Sequence, residues 1–164
     1  EMSTPLKTLA LAAAFAAGMA PMAQAATLSD DARAALEAGL ADEYHAEAFY
    51  AAVMDKFGEI RPFVNIIRAE QTHSGAIADV METYGLTVPA NTQLNDPAVV
   101  ASVPATISEA CAIGVDAEMV NRTLYNEQLI PAVADYPDIK VVFENLRDAS
   151  EYNHLPAFQR CAAR

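Results

Sequence analysis

Four stretches of the chain carry side chains that could do chemistry together: Glu43, Glu70-Gln71-Thr72-His73, Glu118 and Glu151-Tyr152-Asn153-His154. A Glu and a His three residues apart share one face of a helix, so each Glu-x-x-His presents a carboxylate and an imidazole in the same direction. Carboxylate oxygen with imidazole nitrogen suits first-row transition metals. One metal per imidazole, with carboxylates bridging between them, follows from the count. Chance is a poor explanation of the spacing. With 12 Glu in 164 positions, two of the three histidines acquire a Glu three positions earlier in roughly 1 to 2% of random arrangements. A carboxylate on a buried helix stripe is costly unless it is paired, protonated or bound to a cation. A cation would account for all of them at once.

Helices must bring these residues together. Ser29 followed by Asp30 and Asp31 is an N-cap with acidic residues in the first turn, and an apolar stripe of helical period runs from there to Gly58. That stripe holds Leu36, Leu40, Glu43, Glu47, Tyr50, Met54 and Phe57, which makes Glu47 a candidate additional ligand. Pro62 and Gly85 bracket a second helix whose stripe holds Phe63, Ile66, Glu70, His73, Ile77, Val80 and Tyr84. Residues 86–103 are rich in helix breakers, with one short helix expected after an Asp96 cap. A third helix is predicted from about Pro104 to Ile130, and a fourth from Pro137 and Asp138 almost to the C-terminus, kinked at Pro156. The breaker-rich connection reaches roughly 60 Å when extended, against roughly 40 Å for a helix of about 27 residues, so it can return along the molecule. The fold class expected is all-α, a four-helix bundle with one long crossover between the second and third helices.

An internal repeat ties the pattern together. Gly39-x-x-x-Glu43 with Tyr50 seven on matches Gly114-x-x-x-Glu118 with Tyr125 seven on, so the first and third helices read as copies. Phe63, Asn65 and Ile66 ahead of Glu70 match Phe143, Asn145 and Leu146 ahead of Glu151, except that the second copy has one extra residue. The slip predicts a π-bulge in the fourth helix, and in strict register Ser150 would take the place of Glu151. Glu, Glu-x-x-His, Glu, Glu-x-x-His over four helices resembles the ferritin-like di-iron carboxylate proteins. It resembles most an uncharacterised group of small ferritin-like domains whose fourth helix carries a Ser-x-x-Asn-His-Leu-x-Ala-Phe-like segment, here Ser150 to Phe158. The resemblance covers about residues 29–162. It implies a ferritin-like bundle with two metal ions, expected to be iron. Glu43 and Glu118 would be terminal ligands, Glu70 and Glu151 bridges, and His73 and His154 would bind one iron each. Rubrerythrin-like members carry a further carboxylate where this chain has Asn121.

The remaining residues narrow the function. Tyr50 and Tyr125 lie two turns beyond Glu43 and Glu118, a position read first as core packing with a hydroxyl hydrogen bond and second as a radical or proton role. His45 lies off the stripe and is read as a surface residue, while Met54, Met81 and Met119 are expected to fill the core. Cys111 lies seven residues before Glu118 and Cys161 seven after His154. Antiparallel third and fourth helices joined at the metal layer would put both thiols at one level roughly 10 Å along the bundle, within reach of a disulfide. Met2 to Lys7, the apolar run Leu9 to Ala20 and the small-x-small signal Ala23-Gln24-Ala25 have the layout of a secretory leader. Residues 1–25 are read as a signal peptide and residues 26–164 as the domain, periplasmic or secreted, with no membrane attachment after cleavage. A net charge of -12 argues against nucleic acid as a partner. The expected partners are metal ions and dioxygen or peroxide, with a homodimer left open. Vacant positions on two irons would allow ferroxidase- or peroxidase-type chemistry; the alternative is a protein that binds and buffers metal without turnover.

Overall fold

The computed structural model describes residues 27–164. The leader read over residues 1–25 lies outside the described residues, among which there are helices and turns and no strand. Helix α1, Asp30–Phe57, begins where the Ser29 side chain accepts the Ala32 N–H at 3.1 Å. It ends at Gly58, whose φ of 87° leaves the helix and whose N–H still donates to the Met54 carbonyl. Helix α2, Phe63–Thr83, is followed by Gly85 at φ 72°. The short α3, Pro97–Ala101, is capped as expected, the Asp96 carboxylate accepting the Ala98 N–H at 2.7 Å.

The third long run opens later than Pro104. Thr106 and Glu109 form a reciprocal capping box that starts α4 at Ile107, and α4 extends to Leu124. The run then passes through a π turn, Tyr125–Leu129, into α5, Ile130–Ala132, so Pro131 lies within it instead of ending it. The fourth run has the same construction: α6, Pro137–Ala149, a π turn at Ser150–His154, and α7, Leu155–Ala162. Each π turn starts six residues ahead of an internal proline. Proline has no N–H for the carbonyl four residues back and its ring crowds that carbonyl. A widened turn relieves the conflict, with Ile130 N–H donating to Tyr125 and Leu155 N–H to Ser150, five residues back in each case.

Side-chain pairs fix the directions of the four runs. Glu43 meets His73 while Glu47 meets Gln71, so α2 runs against α1. Tyr50 meets Glu118 while Glu43 meets Tyr125, so the third run also opposes α1. Cys111 joins Cys161 and Arg122 faces Glu151, so the fourth run opposes the third. The second and third runs are therefore parallel, and their connection must travel the length of the molecule. It does so along α1: the Tyr44 hydroxyl donates to the Pro89 carbonyl, Asn91 Nδ2 to the Tyr44 carbonyl, and Lys56 Nζ to the Pro104 carbonyl.

The interior falls into two apolar clusters. One holds Tyr50, Val53, Phe63, Cys111, Phe158 and Cys161; the other holds Leu36, Leu40, Ile77, Tyr125, Leu129 and Phe143. Met81 belongs to the second cluster and Met54 packs against the first. Met119, expected in the core, is 45% exposed. Between the two clusters lies a layer of buried polar side chains.

Candidate metal centre

Five of the six candidate ligands meet in that layer: Glu43 from α1, Glu70 and His73 from α2, Glu118 from α4 and His154 from the second π turn, all buried. They form two trios that share Glu70. In one, His73 Nδ1 lies 3.2 Å from Glu43 Oε2 and 3.0 Å from Glu70 Oε2. In the other, His154 Nδ1 lies 3.2 Å from Glu70 Oε1 and 3.5 Å from Glu118 Oε1. Glu70 thus turns one oxygen to each trio. The two imidazoles stack with centroids 5.5 Å apart and planes inclined by 21°.

The repeat seen in the sequence becomes a reciprocal exchange in space. Tyr50 of the first copy donates to Glu118 of the second at 3.0 Å, and Tyr125 of the second copy donates to Glu43 of the first at 2.6 Å. Both tyrosines are buried with satisfied hydroxyls, as the packing reading expected, and burial followed by the nearby carboxylates keeps them protonated, well above the ordinary tyrosine pKa. The exchange is the feature that reading the sequence missed. Its signal was the equal Glu-to-Tyr spacing in the two copies.

Glu151 is not brought into either trio. The extra residue of the π turn turns Ser150 inward, where it is buried, and leaves Glu151 partly exposed with Oε1 3.8 Å from Arg122 Nη1. Glu47 also stands apart, because its two oxygens accept from Gln71 Nε2 and Asn91 Nδ2. His45 is exposed against Gln93. Asn121 is buried and donates from Nδ2 to Asp42 Oδ2 at 2.6 Å.

Protons hold the layer together when no cation does. Burial pushes the Glu43 carboxyl up to about 8 against the opposing pull of His73. Burial would raise Glu70 as well, but His154 and His73 outweigh it and hold the carboxyl down to about 2. Burial works against charge on His73 and His154, yet Glu43 and Glu70 raise the first to about 9, and Glu118 and Glu70 raise the second to about 10. Protons on Glu43, His73 and His154 thus stand at positions a metal would take.

The donors fit metal ions. Two atoms each about 2.1 Å from a shared ion and about 90° apart lie about 3.0 Å from each other, close to the separations within each trio. His154 Nδ1 supplies a second sign: it is buried and faces two carboxylate oxygens, but forms no hydrogen bond among the described residues. An ion seated between the three atoms would satisfy it. Solvent reaches the layer through a cleft of about 250 Å³ between α1 and α4, with Glu43, Glu70 and Glu118 at its inner end.

A family model described as an uncharacterised protein domain, DUF2202, matches residues 40–163. No curated protein and no solved structure matches the chain.

Proposed function

The chain belongs to the DUF2202 family, and from its buried layer we propose an exported, ferritin-like protein that holds two metal ions, iron first among them, for ferroxidase- or peroxidase-type chemistry. The observation that carries this reading is the pair of buried trios, each one imidazole and two carboxylates, joined through Glu70. The ferritin-like assignment is supported by the directions of the four long runs and by the connection lying along α1. Export is supported by the leader pattern and by the Cys111–Cys161 disulfide, which oxidising compartments favour.

In this reading Glu70 would help to hold both ions, with His73 at one and His154 at the other. Glu43 and Glu118 close the ends, oriented by the Tyr125 and Tyr50 hydroxyls that bond to them. When bound, two redox-active ions supply a pair of electrons to dioxygen or peroxide. Three protein donors per ion leave coordination positions vacant, which favours turnover over storage. The apolar clusters above and below the layer shield it from water on those two sides and strengthen the charge interactions there.

The test is anaerobic loading of the full chain with ferrous ions, followed by mixing with dioxygen or hydrogen peroxide. Two ions per chain, oxidised within seconds in the parent and far more slowly in Glu43→Ala and Glu118→Ala, are the expected results. Uptake of two ions without oxidation would leave metal buffering as the function. Absence of uptake would overturn both readings.

A further inference from the structure

On a chain of net charge -12, residues 61–69 and 152–164 contain no Asp or Glu, yet these two stretches hold four of its ten cationic residues, Arg61, Arg68, Arg160 and Arg164. All four are exposed, whereas the arginines that form ion pairs among the described residues, Arg122 and Arg147, lie elsewhere. The fold sets the start of α2 beside the end of the fourth run. A groove of about 370 Å³ lies between them, lined by Asn65 and Ala69 of α2 and by Ala149, Asn153, His154 and Ala157 of the fourth run. It shares no residue with the cleft between α1 and α4. Arg68 stands three residues from Asn65 and Arg160 three from Ala157, so each lies in the same helix row as a lining residue. His154 lines the groove with its ring turned toward the layer: Nδ1 is buried and faces Glu70 and Glu118, so the 5% of the side chain that is exposed lies on its other atoms.

We propose that the groove between α2 and the fourth run binds a small anionic organic reductant of the ene-diol class, its charged oxygen on Arg68 and Arg160 and its body over His154 between Ala69 and Ala157. Charge complementarity selects the occupant. The arginines favour an anion here, whereas the cleft on the opposite face presents Asp42, Glu43, Glu70 and Glu118 and repels one. The reductant assignment deepens the metal reading and rests on it: peroxide reduction consumes two electrons, and His154 is the bonded link between groove and layer. An ene-diol conjugated to a carbonyl combines a negative charge at neutral pH with two electrons to give. Its mono-anion loses two electrons and one proton in becoming a 1,2-dicarbonyl, and hydrogen peroxide takes up both electrons, that proton and one from solvent to become two waters. Anion binding itself requires only the groove and its arginines.

Titration of the full chain, metal-free and zinc-loaded, with ascorbate and with its neutral 2,3-di-O-methyl ether, followed by amide chemical shifts, tests the proposal. Ascorbate is expected to shift residues around Asn65, Ala69, Asn153 and Ala157 and to bind roughly fivefold more tightly than the ether. That advantage should shrink at about 0.5 M salt and vanish in the double variant Arg68→Gln with Arg160→Gln. Ala157→Phe, which fills the groove, should weaken both probes roughly tenfold. Shifts confined to other parts of the molecule, equal affinity for the two probes, or parental ascorbate affinity in the double variant would overturn the anion site. With iron-loaded protein, peroxide-driven oxidation of ascorbate should slow roughly fivefold in the double variant at subsaturating ascorbate; an unchanged rate would overturn the reductant assignment. Ascorbate binding over His154 by a chain that takes up no metal would sink the metal reading and leave the anion site intact.

Discussion

Glu70 is the residue on which both trios depend, because it gives one oxygen to His73's group and the other to His154's. Glu70→Ala is therefore expected to abolish tight binding of both ions, whereas Glu43→Ala or Glu118→Ala should leave one; metal analysis after gel filtration distinguishes the outcomes. A pH prediction follows from the same contacts. Folded pKa values raised to about 8 at Glu43, about 9 at His73 and about 10 at His154 mean that the native state binds these protons more tightly than the unfolded chain. Their stabilisation is full at low pH and is lost as pH rises, between about 4.5 and 8 for Glu43 and between about 6.5 and 10 for the histidines. Glu70, held down to about 2, has the opposite sign, and its contribution is lost only as pH falls below about 4.5 toward 2. The melting temperature of chelator-treated protein should thus fall steadily from pH 6 to pH 10, and that of metal-loaded protein should fall less, since ions replace the protons. A flat profile for the chelator-treated protein would contradict the assignment. At this scale Glu43, Glu70, His73, Glu118 and His154 were legible in the sequence, because helical spacing alone decides which face they share. Glu151 was read as a ligand although the slip already marked Ser150 as its strict-register equivalent, and it is Ser150 that turns inward and is buried.

The elements show where such rotations come from. The slip between the two copies pointed to a π turn in the fourth run, and the structure has one at Ser150–His154. The matching turn at Tyr125–Leu129 was hidden, because the third helix was expected to stop at Ile130, just ahead of Pro131, when the run absorbs that proline by widening. The crossover and the caps at Ser29 and Asp96 were legible because they depend on local donors and acceptors and on chain length. The close approach of α7 to α4 was not, as it depends on a glycine whose partner lies far along the chain. A Cβ built on Gly114 would stand 2.7 Å from the Phe158 ring, closer than real contacts allow. On Gly39 of the other copy, the nearest atom would be Ile77 Cδ1 at 3.3 Å. Gly114→Ala should therefore destabilise the protein by about 1–3 kcal/mol through overpacking, and Gly39→Ala by clearly less; urea unfolding of the two variants measures the difference. Equal losses would mean that α7 can retreat from α4 without cost.

For the molecule as a whole, the disulfide cross-links the third and fourth runs far from the turn that connects them, joining Cys111 to Cys161 across 50 residues of chain. Closing a loop of that length removes unfolded-state entropy worth ~4 kcal/mol in the chain-entropy account, with measured losses on removing native disulfides spanning about 2–5 kcal/mol. Its place gives the link a local consequence as well. The two cysteines sit seven residues from Glu118 and from His154, about two helical turns from the trio those residues share with Glu70. The other trio, Glu43, Glu70 and His73, is built wholly on α1 and α2. Loss of the link should therefore loosen one half of the layer more than the other. The double variant Cys111→Ser with Cys161→Ser is expected to unfold at lower denaturant concentration by an amount equivalent to about 2–5 kcal/mol, and to titrate with one metal at close to parental affinity and the second more weakly. Equal weakening of both metals would show that the four runs move as one rigid body, with the disulfide contributing to stability alone.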